Sequence, residues 1–202
     1  LDFGDGCKDL RNHIRKGKII ITVYGKYREE GSVRVVTFED YFVNDNKIEG
    51  IKTITNEGRN ESGNLVFSIV LEDGLIIRSN GTVIERNKSF IREWVSGEDT
   101  PEKGDNVFLI NGTVFKQKPD FTVNKTIYDV LRRQDCRFPV SGMVEILIDD
   151  DTTPVVWIDY GDGKCDKWAT VTVGEGEEAE TWIIDLKERG KKWKKDKEEG
   201  DD

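Results

Sequence analysis

The sequence predicts an all-β fold: an antiparallel meander of about a dozen strands forming a curled sheet, a sandwich or a barrel-like unit, with no substantial helix. Three observations lead there. Apolar residues recur with period two over most of the chain, as in Leu65, Phe67, Ile69 and Leu71. Dipeptides that accept positive φ punctuate those runs at hairpin spacing. No segment combines helical periodicity, caps and length; the best helix candidate is the C-terminal tail.

The elements follow in order. Strands are expected near 18–27, 32–44, 47–56, 65–71, 75–79, 82–94, 106–116, 121–130, 144–148, 155–160, 169–173 and 181–186. Each shows alternation, for example Val144, Ile146 and Ile148, or Ala169, Val171 and Val173. Connections are expected at Asn44-Asp45-Asn46, Glu72-Asp73-Gly74, Asn80-Gly81, Asn111-Gly112 and Asp149-Asp150-Asp151. Strand 32–44 carries apolar residues on both faces: Val33, Val35, Tyr41 and Val43 on one, Val36, Phe38 and Phe42 on the other. Such a strand is expected in the centre of a two-layer arrangement, or with one face against another element. The alternative is an exposed aromatic platform for a sugar or a protein partner, Phe38, Tyr41 and Phe42 with Tyr24 and Tyr27 nearby.

Composition narrows the class. The 202 residues are 36% hydrophobic and include five tryptophans, enough for a core. Residues 1–186 read as one domain, with a possible subdomain junction near 96–106, where SGEDTPEKGDN brings Gly, Pro and charge together. Residues 187–202 read as a charged, flexible tail, with Trp193 its one large apolar side chain. A formal charge of −9 argues against a nucleic-acid partner. No apolar run reaches the roughly 18–20 residues of a membrane-spanning helix.

One motif appears twice. Leu1-Asp2-Phe3-Gly4-Asp5-Gly6-Cys7 precedes Lys18-Ile19-Ile20-Ile21-Thr22-Val23, and Ile158-Asp159-Tyr160-Gly161-Asp162-Gly163-Lys164-Cys165 precedes Trp168-Ala169-Thr170-Val171-Thr172-Val173. Both read as strand, Gly-Asp-Gly turn, cysteine, strand. A hairpin centred on Asp151 sets Cys136 opposite Cys165 within about one residue, close enough for a disulfide. Cys7 is left over, with a partner expected upstream of Leu1. The turn aspartates are weak calcium candidates: Asp159, Asp162 and Asp166, and separately Asp2, Asp5 and Asp9. Their spacing departs from the calcium-loop pattern, so no cofactor is expected.

Together with Arg15–Val23, Gly25-Lys26-Tyr27-Arg28 and Cys136-Arg137-Phe138-Pro139-Val140-Ser141-Gly142, the two motifs resemble an uncharacterised family of Bacteroidetes envelope lipoproteins. The resemblance runs over most of residues 1–186. It implies a secreted or outer-membrane-anchored parent with a lipid anchor upstream of Leu1, and carries no known activity or functional residue. The Asp-Phe/Tyr-Gly-Asp-Gly runs are also similar to the signature of polycystic-kidney-disease-type sandwich domains. The His-x-Tyr and Gly-x-Tyr pattern that follows in that family is missing here.

Catalysis is not expected. The single histidine, His13, lies in a basic, polar stretch, and no Gly-x-Ser-x-Gly, phosphate-binding loop or HExxH occurs. The carboxylate groups Glu39-Asp40 and Asp149-Asp150-Asp151 lie in strand and turn contexts ill suited to a glycosidase pair. The sequons at Asn60, Asn80, Asn87, Asn111 and Asn124 read as turn and strand-opening residues. The expectation is a noncatalytic secreted or cell-envelope protein serving adhesion or glycan or protein binding. The alternatives are a purely structural assembly component and, further off, a glycan-active hydrolase.

Overall fold

The structure, a computed structural model, describes residues 1–10, 12–150 and 152–188. It is one antiparallel sheet of twelve strands in sequence order, and the sheet is not closed. The strands are β1 (Cys7–Lys8), β2 (Ile14–Tyr24), β3 (Val33–Val43), β4 (Asn46–Arg59), β5 (Leu65–Ile77) and β6 (Val83–Ser96). They continue as β7 (Val107–Gln117), β8 (Thr122–Arg133), β9 (Ser141–Asp149), β10 (Val156–Asp162), β11 (Trp168–Val173) and β12 (Glu180–Asp185). Among the described residues helix is confined to short 3₁₀ turns at Gly176–Glu178 and Leu186–Glu188. Of the architectures open at the sequence level, the extended meander is the one found. The second layer expected against strand 32–44 does not exist among the described residues. The tail beyond Glu188, with Trp193, lies outside the described residues, as does Asp151.

Three of the expected hairpin connections are where the turn chemistry puts them, one of them at the end of β9, where Asp149 closes the strand and Asp150 enters the β9–β10 turn. Asn44 and Asp45, with φ of 48° and 63°, link the paired residues Val43 and Asn46. That is the left-handed two-residue turn whose twist matches the flanking strands. Asn80-Gly81 closes β5 onto β6, with Gly81 N–H donating to Arg78 O at 2.9 Å.

Glu72-Asp73-Gly74 and Asn111-Gly112, expected as connections, lie inside β5 and β7 instead. There they mark β-bulges, where the register shifts between Leu71 and Leu75 and between Ile110 and Gly112. An aspartate at positive φ in mid-strand recurs at Asp40 (41°), Asp73 (49°) and Asp129 (49°). Such a residue inserts one unpaired position and bends its strand. Glycine on a neighbouring strand makes room: a Cβ on Gly17 would lie 1.9 Å from Asp40 O, and one on Gly142 would lie 2.3 Å from Asp129 O. Turn-forming residues thus bend long strands as well as ending short ones.

The bulge at Asp40 also corrects the facing of strand β3. Phe38 and Tyr41 share a side, with rings stacked 5.5 Å apart and Tyr41 3% exposed. Phe42 pairs with Lys16 and Lys47. Strict alternation puts Tyr41 opposite Phe38; the extra residue turns it over.

Residues directly opposite one another share a face, so the registers trace rows across the sheet. One row runs Val23, Arg34, Ile54, Ile69, Phe90, Gly112, Ile127, Val144, Ile158, Val171, Trp182 from β2 to β12. This is the apolar face. The row one residue over belongs to the other face: Thr22, Val35, Thr53, Val70, Ser89, Thr113, Thr126, Glu145, Trp157, Thr172, Thr181. Hydroxylated and β-branched residues suit a solvated sheet surface.

The aromatic core sits on the apolar face, towards the end of the sheet that carries the loops after β2, β4, β6, β8 and β10, and Ile84, Val114 and Val123 are buried towards the other end. Leu65 (2% exposed), Phe67 (1%) and Trp94 form its centre, packed by Tyr27, Ile54 and Phe108. Tyr27 comes from the β2–β3 loop, which folds back over the sheet: its carbonyl accepts from Asn56 Nδ2 at 3.0 Å and its ring stacks on Phe67 at 4.8 Å. At the same end Cys136 and Cys165 form a disulfide, their Cα atoms 5.5 Å apart, beside the buried Val140. The loops after β8 and β10 are thereby tied together.

Candidate functional site

Both ends of the apolar face hold cations, and their surroundings differ. At the looped end three guanidinium groups lie against rings, while Arg132, opposite Phe108, lines a separate cavity. Arg34 lies 4.1 Å over Tyr27, Arg28 5.1 Å over Trp94, and Arg92 about 5 Å from both Phe67 and Phe108. Arg92 also donates to the Tyr27 hydroxyl at 2.6 Å. Arginines and aromatics stack alternately, so positive charge is absorbed by ring quadrupoles within the core.

Towards the end carrying the turns after β3, β5, β7 and β9, the pattern changes. The row next to the apolar one reads Ile21, Val36, Lys52, Leu71, Lys88, Val114, Lys125, Ile146, Val156, Val173, Glu180. Lysine stands on alternate strands β4, β6 and β8, a spacing of about 10 Å. The following row adds Arg86 opposite Lys116, then Val123 and Ile148. Here lies a cavity of about 480 Å³ lined by Arg86, Lys116, Lys118 and Lys125 with Val114, Phe121, Val123, Ile146 and Ile148. Among the described residues no ion pair involves Lys52, Arg86, Lys88, Lys116 or Lys118. Two rings approach this group: Phe121 lies 4.3 Å from Lys118 Nζ, and Phe90 lies 6.0 Å from Lys88 Nζ.

The electrostatic consequence is direct. Burial, with Arg86 and Lys52 adding to it, pushes the Lys88 ammonium below its usual range. Lys116 is lowered by burial and then by Lys118, Arg86, Lys125 and Arg78. Like charges are held together on a face of low dielectric within a chain whose net charge is −9. Such a cluster can accept an anion without first breaking an internal ion pair. A second cavity, about 800 Å³, lies at the disulfide-bearing end among Arg132, Arg137, Phe138, Tyr160 and Leu186, beside the last described residues.

The residues singled out from sequence are dispersed. Tyr24 is 60% exposed at the end of β2, Tyr27 and Tyr41 are packed inward, Phe38 stacks on Tyr41, and Phe42 lies on the opposite face. They form no single aromatic platform, because the β2–β3 loop and the Asp40 bulge direct them differently. Asp159 Oδ1 accepts from Gly161 N–H at 2.8 Å, Asp162 pairs with Lys164 at 3.0 Å, and Asp166 Oδ1 accepts from Trp168 N–H at 2.9 Å. Asp2 accepts from Gly4 N–H at 2.8 Å, repeating the Asp159 bond in the first copy of the motif. The leading aspartate, not the one between the glycines, therefore braces each turn. Among the described residues no cluster of three histidine, cysteine or acidic side chains is arranged to hold a metal.

The carboxylates considered for hydrolysis are likewise occupied. Glu39 pairs with Lys18 at 2.5 Å, Asp40 lies 3.7 Å from Lys47, and Asp149 accepts from Thr122 at 3.5 Å. Asp150, held at a pKa of about 2 by hydrogen bonds from Thr153 and Thr152, braces the β9–β10 turn. His13 contacts Asp9, which also receives Arg15. Cys7 is exposed and unpaired.

The cation group was not singled out from sequence, though one signal for it exists. In β6, Arg86, Lys88 and Arg92 share parity with Ile84, Phe90 and Trp94, while Glu85, Ser89 and Glu93 take the other. Cations in phase with core residues mark a charged inner face. Comparison with family models, curated proteins and solved structures finds no match for this chain.

Proposed function

We propose that this chain is a noncatalytic binding module of a secreted or envelope-anchored protein, and that it takes an anionic ligand on the cation-bearing half of its apolar face. The location rests on the Bacteroidetes lipoprotein resemblance and on the oxidised Cys136–Cys165 pair, which suits an oxidising compartment. One observation carries the binding reading: Lys52, Arg86, Lys88, Lys116 and Lys118 gather on one face without a carboxylate partner among the described residues. A purely structural role would favour pairing or replacing these charges, since unrelieved repulsion on a half-buried face costs stability. A glycosidase would need two free carboxylates across a cleft, and the carboxylates considered above brace turns and pair with lysines. Adhesion through a glycan remains within this reading where the glycan is acidic.

Calorimetric titration of the chain against acidic polysaccharides, alkyl carboxylates and neutral oligosaccharides tests the proposal. The expected result is saturable, salt-sensitive binding of an anion that is recovered unaltered. Binding confined to neutral sugars, or turnover of any ligand, overturns it.

A further inference from the structure

Resting on that reading, we propose that the ligand is an anionic amphiphile, its oxyanion head held by Arg86, Lys116 and Lys118 and its alkyl chain laid on the half-buried Ile146 and Ile148, beside the buried Val114 and Val123. The lining of the cavity argues for this chemistry. Its side chains are cations and hydrocarbons alone, with no Asn, Gln, Ser, Thr, Asp or Glu among them. Lysine and arginine donate hydrogen bonds and accept none. A sugar hydroxyl or a base edge placed here leaves its own donors unsatisfied, at a cost that buried polar groups rarely bear. An oxyanion only accepts, and matches the donors.

The apolar part has a direction. From Ile146 the row continues through Val156 on β10 to Val173 on β11, all half-buried. From β8 to β11 this strip spans about 14 Å, the scale of a decyl to dodecyl chain. Its cationic end lies at β6–β8, where Arg86 faces Lys116 across the strand pair. Head and chain therefore have separate, adjoining ground. The charged and apolar parts also explain each other: an ion without a tail leaves Ile146 and Ile148 wet, and a tail without a charge leaves the cations unneutralised.

The test is titration of the chain with dodecanoate below its micelle-forming concentration, beside acetate, dodecanol, dextran sulfate and phosphatidylglycerol vesicles. Dodecanoate is expected to bind, with acetate and dodecanol each at least about tenfold weaker. Arg86→Gln with Lys116→Gln is expected to weaken dodecanoate by about tenfold or more at unchanged far-ultraviolet dichroism. If that pair perturbs folding, Lys118→Gln at the strand end serves instead, with a smaller loss in the same direction. Dextran sulfate binding without dodecanoate binding overturns the amphiphile and leaves the anion site standing. Binding to vesicles but not to monomeric dodecanoate overturns it in favour of a membrane surface. Binding of no anion overturns both proposals.

Discussion

The two ends of one sheet face make opposite use of the same side-chain types. At the looped end, Arg28, Arg34 and Arg92 are interleaved with Tyr27, Phe67, Trp94 and Phe108, and the loops fold back to cover them. At the other end, Lys52, Arg86, Lys88 and Lys116 stand among Val36, Leu71, Val114 and Ile146, and the connections are mostly tight turns, with Phe121 after β7 reaching Lys118. The Asn44-Asp45 turn, for instance, joins directly paired residues. With no second layer among the described residues, the aromatic core forms where loops return over the face, while the buried residues of the other end are the smaller Ile84, Val114 and Val123. The difference therefore lies in loop length and aromatic content, and the strands themselves are continuous through both regions.

That contrast can be broken at its strongest point first. Phe67→Ala removes the ring that carries both Tyr27 and Arg92, and is expected to cost about 3–5 kcal/mol in denaturant unfolding. Ile146→Ala, on the cation-bearing half, is expected to cost about 1–2 kcal/mol, because its side chain is only half-buried. Equal losses at the two sites would erase the distinction between a packed and an open half. Next in size is the bridge between the loops after β8 and β10. Replacing Cys136 and Cys165 together by serine frees a separation of 29 residues and is expected to cost about 2–4 kcal/mol. Reduction of the native chain should reproduce that loss in the same unfolding assay.

Much of the fold was legible because the period-two pattern and the turn dipeptides are local signals. Val144, Ile146 and Ile148 were assignable to a strand from their alternation alone, and the β9–β10 register follows from the position of its turn. The bulges were not legible. Asp73-Gly74 inside β5 is the same chemistry as a hairpin turn, and only the neighbouring strand, approaching to where a Gly74 Cβ would meet Arg86 O at 2.1 Å, makes it a bulge. Strict alternation puts Tyr41 on the wrong face for the same reason. The aromatic platform failed at Tyr27, whose placement on Phe67 depends on a loop folding back. The cation rows depend on registers across β4 to β9, which no single segment encodes.

The smallest expected change is the most telling, because its sign opposes the usual cost of mutation. Burial and neighbouring cations hold Lys88 and Lys116 below the ordinary lysine pKa. The unfolded chain then binds more protons than the folded one between the lowered values and 10.5, so their cost is complete at neutral pH and is relieved as pH rises through that window. Methionine preserves the apolar stem and removes the charge. The decisive measurement is thermal unfolding of Lys88→Met with Lys116→Met beside the native chain, at low salt and neutral pH. A cation cluster kept for a ligand rather than for the fold predicts a midpoint raised by about 2–4 °C, with the alkaline gain in stability of the native chain diminished. A lowered midpoint would make these lysines part of the scaffold and contradict the division of the face into a packed half and a binding half.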